Sequence, residues 1–238
     1  AVNYYPVTTP PVAPQPPRGR LIVIEGTDGS GKATQTGMLV DHLRQIGQAV
    51  MTMSFPRYNH ASSWLIRQYL AGEFGPADAV PPKIASTFFA YDRLDAAGSI
   101  ETALAQGQHV VLDRWVSSNK GHQLGKIPGD EERREFLKWM NEFEYMANRL
   151  PVPDLTILLY LDPLAAVSSS GEKGGVTHDV HESDLNHLRR AADAYRWVAL
   201  HDTVEHWVTI NCMNERNERL SKVEMQQRVW QEVARLLA

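Results

Sequence analysis

Apolar positions along the chain fall into short continuous runs alternating with longer segments of helical period. Leu21 to Glu25 (LIVIE) is a β-branched run that predicts a strand, and glycine-rich residues 26–32 follow it. Met38, Leu39, Leu43 and Ile46 then recur at helical spacing, and Gly47 closes that helix. Ala49 to Phe55 reads as a second strand ended by Pro56. Residues 83–106 read as a helix through Ile84, Phe88, Tyr91, Leu94 and Ile100, broken by Gly107. His109 to Asp113 (HVVLD) is a third strand, and residues 131–149 carry a clear amphipathic pattern in Phe136, Trp139, Met140, Phe143 and Met146. Leu155 to Leu161 is a continuous apolar run, as expected of a strand buried on both faces. A helix is predicted from about Glu182 to Leu200, a short strand over Trp207–Ile210 and a last helix over residues 222–237. Strands alternating with helices predict an α/β fold: a five-stranded parallel sheet flanked by helices on both faces, in three layers α/β/α.

Composition narrows the class. The 238 residues suffice for one well-buried α/β domain. A net charge of −4 argues against a general nucleic-acid or membrane-surface binder, leaving room for a local basic pocket. No apolar run is long enough to span a bilayer. The single cysteine, Cys212, excludes an intramolecular disulfide and suits a reducing, cytoplasmic setting. Residues 1–19, with Pro6, Pro10, Pro11, Pro14, Pro16 and Pro17, read as a disordered tail ahead of a domain over 20–238. Residues 168–181 contain a small, polar stretch with Gly171, Gly174 and Gly175 and read as a mobile lid.

The strongest chemical signal is Gly26-Thr27-Asp28-Gly29-Ser30-Gly31-Lys32, placed between a buried strand and a helix. In a P-loop the glycines let backbone N–H groups turn toward phosphate oxygens, and the helix N-terminus adds partial positive charge. Lys32 would then reach the β- and γ-phosphates of a nucleotide. The hydroxyl residue that usually follows the lysine and ligates Mg²⁺ is replaced by Ala33, with Thr34 one position later. Thr34, water, or carboxylates such as Asp28 and Asp113 must then hold the metal.

No Asn-Lys-x-Asp motif of GTPases is present, because Asn119-Lys120 is followed by Gly121-His122. From about Arg20 onward the chain resembles thymidylate kinases. The resemblance rests on five segments in register: Glu25 to Gln35, Phe55-Pro56-Arg57-Tyr58, Phe89-Ala90-Tyr91-Asp92-Arg93, Asp113 to Asn119, and Leu161-Asp162-Pro163 followed by Asp179-Val180-His181-Glu182. It implies an ATP-dependent kinase of dTMP that uses Mg²⁺ and acts as a homodimer. Arg57 and Arg114 would grip the acceptor's 5′-phosphate, for which a planar guanidinium is suited. Phe89 would stack on the pyrimidine, Arg93 would donate to its O4 and Asn119 would bond the base edge. Ser118, His122 and Gln123 complete the acceptor residues; His122 stands where relatives commonly carry a tyrosine or phenylalanine near the sugar.

The family also needs a basic group near the transferring phosphoryl, from the P-loop or the lid. Here Gly29 follows Asp28, and the lid offers Lys173, expected either to close over the ATP phosphates or to be a solvated loop lysine. Asp179 and Glu182 lie near the metal or sugar by resemblance, or else merely favour a helix start. Zinc binding by His178, His181 and His187 is disfavoured because no further ligand is spaced with them. Two rival readings remain: a deoxynucleoside kinase with Glu25 as base, and a nucleotide-binding module of weak turnover.

Overall fold

A computed structural model describes residues 17–163 and 182–238. The lid, with Lys173, His178, Asp179 and His181, and most of the tail lie outside the described residues, as do the side chains of Glu182 and His187. Five parallel strands form one sheet: β1 (Leu21–Gly26), β2 (Val50–Ser54), β3 (His109–Asp113), β4 (Leu155–Tyr160) and β5 (Trp207–Asn211), in spatial order β2-β3-β1-β4-β5. The described helices are α1 (Lys32–Gln45), α2 (Trp64–Leu70), α3 (Pro82–Ala105), α4 (Val116–Leu124), α5 (Asp130–Asn141), α6 (Glu182–His201) and α7 (Lys222–Leu237). None is long and apolar enough to cross a membrane.

β1 lies at the centre, and its four apolar side chains are fully buried. Because strand side chains alternate, β1 serves both faces. Leu21 and Val23 join a core with α3, α4, α5 and α6, whereas Ile22 and Ile24 join another with α1 and α7. That division is the three-layer arrangement the alternation of elements predicts. β1 connects through α1 to the sheet edge at β2, while β3 connects back across to β4. The carboxyl ends of β1 and β3 therefore border the crevice where connections diverge, the usual ligand position in such sheets.

Two helices lie where the hydrophobic pattern predicts none. α2 is only seven residues long, and α4 (VSSNKGHQL) is polar yet buried at Ser117, Asn119, Lys120 and Gln123. Polar residues can be buried when every group finds a partner, and no apolar stripe then marks the helix. The helix expected over 131–149 is α5 followed by a π-helical turn, Glu142–Ala147, which carries the fully buried Glu144.

Candidate active site

The loop after β1 curls because three glycines take conformations that side chains disfavour. Gly26 has φ 148°, and a Cβ there would stand 2.5 Å from the Leu159 carbonyl oxygen on β4; Gly31 has φ 97° at the start of α1. Lys32, first in α1, folds back to donate to the Thr27 carbonyl at 2.9 Å and lies 3.7 Å from Asp28. Burial and the neighbouring Arg114 hold the Lys32 ammonium below its ordinary pKa. Thr27 and Ser30 are buried in the loop, Ala33 is exposed and Thr34 is half-buried.

Arg114, directly after β3, has φ 71°, an uncommon conformation for a non-glycine residue. The turn sends its guanidinium across the crevice, where Nη2 donates to Asp28 Oδ1 at 2.5 Å and Nη1 lies 3.1 Å from His122 Nε2. Burial alone would raise the Asp28 carboxyl, but Arg114 and then Lys32 outweigh it and hold the group below the usual carboxylate range. Asp113, one residue earlier, has its carboxyl pushed up by burial, against the pull of Lys32 and Arg114. Its Oδ1 is buried without a hydrogen-bond partner. An orphaned acceptor beside an exposed carboxylate fits Mg²⁺, which takes one or two protein carboxylates together with water and phosphate oxygens. Among the described residues no cluster of three His, Cys, Asp or Glu side chains that could hold a metal occurs.

Beyond Arg114 lies a cavity of about 370 Å³. Phe89 and Arg93 line it from α3, and Ser118, Asn119, His122 and Gln123 line it from α4; Asp28 and Arg114 stand at the phosphate-loop side. Six of the acceptor residues expected from sequence thus converge with Arg114. Arg57 is the exception. It does not line the cavity, because its guanidinium is occupied by Asp92 (3.0 Å), Asp95 (2.6 Å) and Ser62 (3.0 Å). Ser118 also faces away in part, donating to Glu25.

Further residues shape the site without a role in the kinase reading of the sequence. Glu25 is fully buried and accepts from the Trp115 backbone N–H, Ser117, Ser118 and Tyr195. A carboxylate at the end of an otherwise apolar strand is the one signal that could have found this hub. Lys126 reaches the cavity from beyond α4 and donates to Tyr69 Oη at 2.9 Å and the Ala77 carbonyl at 2.7 Å. Arg219, in the turn between β5 and α7, donates to the Gly29 carbonyl of the loop. That turn is built by Asn214 Oδ1, which accepts from the Arg216 and Glu218 backbones, and Cys212 places its thiol 3.8 Å from the Ser30 carbonyl.

The family model for thymidylate kinase matches residues 24–223. A thymidylate kinase from Mycobacterium tuberculosis is 30% identical over 195 residues, covering 80% of this chain and 90% of that protein. A thymidylate kinase from Danio rerio is 31% identical over 162 residues, with 68% and 70% covered. Among solved structures, the thymidylate kinase of Candida albicans superposes with a TM-score of 0.66 over 91% of this chain and 92% of that one. Its 22% identity makes it evidence for the fold alone.

Proposed function

The chain belongs to the thymidylate kinase family, and we propose that it transfers the γ-phosphoryl group of ATP to dTMP, giving dTDP and ADP. The observation that carries this reading is the position of Arg114. It stands between a phosphate loop and a cavity lined by an aromatic ring, an arginine and an asparagine. A nucleoside monophosphate seated with its base among Phe89, Arg93 and Asn119 would bring its phosphate to Arg114. Phosphoryl transfer is mainly positioning and charge neutralisation, and the attacking phosphate oxygen is already ionised at neutral pH. Lys32 and the loop amides would bind the ATP phosphates, while Arg114 would orient the acceptor and offset charge spreading over the transferred group. Asp113 and Asp28 would hold Mg²⁺, which when bound screens the phosphate charges. Lys173 remains our proposal for the cation that closes from the lid.

The burial of Glu25 disfavours a deoxynucleoside kinase. Its carboxylate is committed to four donors within the fold and is not placed to take a proton from a sugar hydroxyl. We extend the reading to a homodimer, supported by Ile84, Tyr91 and Leu94 of α3, which stand exposed; sedimentation equilibrium tests it. A cytoplasmic setting is proposed from the single cysteine, which suits a reducing compartment.

A coupled assay of ADP release across dTMP, dUMP, dCMP, UMP and thymidine tests the function. Turnover is expected with dTMP foremost. Preference for UMP or dCMP overturns the acceptor, turnover of thymidine overturns the reaction class, and binding without ADP release favours the weak-turnover module.

A further inference from the structure

The base end of the cavity is organised by a residue outside every motif. Glu144, on the π-helical turn, is fully buried and faces Arg93, itself only 2% exposed. The two form a fork: Arg93 Nε donates to Oε2 at 3.3 Å and Nη2 donates to Oε1. Asn119 joins the same carboxylate. Its Nδ2 donates to Glu144 Oε1 at 3.3 Å and to the Ser86 backbone carbonyl at 3.0 Å.

Which end of an asparagine amide faces which way is normally decided by its partners. Here both partners of that end are acceptors with no hydrogen to give. A carboxylate paired with a guanidinium accepts only, as does a backbone carbonyl. The nitrogen end of Asn119 must therefore face inward, and both of its hydrogens are used. What Asn119 can offer the cavity is the acceptor Oδ1. Arg93, which has no acceptor atom, can offer only donors.

We infer that Glu144 sets the hydrogen-bond polarity of the base site, making it a donor–acceptor pair complementary to an imide edge, and so determines selection of thymine or uracil over cytosine. The inference rests on the acceptor reading above. Thymine and uracil present an O4 acceptor and an N3–H donor, which match the Arg93 donor and the Asn119 acceptor. Cytosine presents an amino donor and an N3 acceptor and mismatches at both. Glu144 touches no substrate in this scheme; it is a positioning residue acting through Arg93 and Asn119. Polar groups left unpaired in a dry site account for the largest discrimination ratios that binding alone can give.

The test is Glu144→Gln, which keeps the shape but removes the charge that holds Arg93 and one of the two acceptors that orient Asn119. Binding of dTMP and dCMP is measured by calorimetry, and kcat and KM are measured with each. The preference for dTMP over dCMP should fall at least tenfold, about 1.4 kcal/mol. KM for ATP should hold within twofold, a split that general destabilisation would not produce. An equal loss for both nucleotides, leaving their ratio unchanged, overturns the inference. If Glu144→Gln does not fold, Glu144→Asp serves instead: it keeps the charge but draws it one methylene away from Asn119. Its ratio should fall at least threefold, and an unchanged ratio is again the refuting result. The calorimetric ratio does not depend on turnover, so a wild-type protein that binds dTMP selectively yet makes no dTDP would sink the kinase reading and leave this inference standing.

Discussion

Replacing Lys120 by methionine removes a buried cation while keeping most of the volume of its stem. Lys120 Nζ lies 2.5 Å from both Asp202 Oδ2 and Glu205 Oε1, and none of the three side chains is exposed. Breaking a buried ion pair from one side costs about 3–5 kcal/mol, because a charge is left without compensation. Asp202 would keep its bonds from Trp207, Asn141 and the Val204 backbone, and Glu205 those from Tyr145 and Thr156. These remaining donors favour the lower half of the range, about 3–4 kcal/mol. For a domain of this size that lowers Tm by roughly 6–16 °C. Dependence on pH separates a lost charge from lost packing. Burial pushes the Asp202 carboxyl up, but Lys120 outweighs it and holds the group below its ordinary value. In the wild type the unfolded chain therefore takes the proton first as pH falls, and this contribution, complete above the ordinary carboxylate pKa, is lost through the acid range. Without Lys120 the largest influence holding the carboxyl down is gone, so less stability is lost as pH falls. Urea unfolding at pH 7 and pH 4 should show the gap between Lys120→Met and wild type shrinking on acidification. A loss below about 1 kcal/mol at pH 7, or a gap independent of pH, refutes the reasoning.

Three further outcomes are expected. Arg219→Ala should raise KM for ATP about five- to tenfold with KM for dTMP unchanged, since Arg219 bonds the Gly29 carbonyl through one exposed, charge-assisted contact; steady-state kinetics with either substrate varied checks this, and Arg219→Lys should recover part of the loss. Gly121→Ala should destabilise by about 1–3 kcal/mol, because its Cβ would stand 2.5 Å from Cζ of the fully buried Tyr195 ring, and thermal unfolding measures the effect. Burial pushes the Cys212 thiol up to about 11, so at pH 8 only about one molecule in a thousand carries the reactive thiolate. Alkylation should accordingly wait on unfolding, and stability should decline as pH rises from the free-thiol range toward 11, where the unfolded chain releases its proton first.

What could be read from residue order was whatever is local in the chain. β1, β3 and β4 are buried along most of their length and so are mostly apolar, and the glycine-rich loop is seven consecutive residues whose spacing is its chemistry. The acceptor segments were legible because each is a short motif, and all but Arg57 converge on one cavity. Arg57 shows the limit: a motif names a residue but not its partners, and Asp92 and Asp95 claim its guanidinium through a fold-back of 35 and 38 residues. α4 left no hydrophobic signature because its polar groups are satisfied by distant residues, Lys120 by Asp202 and Glu205, Ser117 and Ser118 by Glu25. Glu144 meets Arg93 across 51 positions, and Arg219 meets Gly29 across 190. Such contacts depend on which strands and helices become neighbours, and that is decided by packing the whole chain around the sheet. The sequence alone thus determined the class of fold, the glycine-rich loop after β1 and the candidate acceptor residues. Tertiary structure decided which charges are paired and which end of Asn119 is held by Glu144 and Ser86, because these depend on long-range proximity and desolvation.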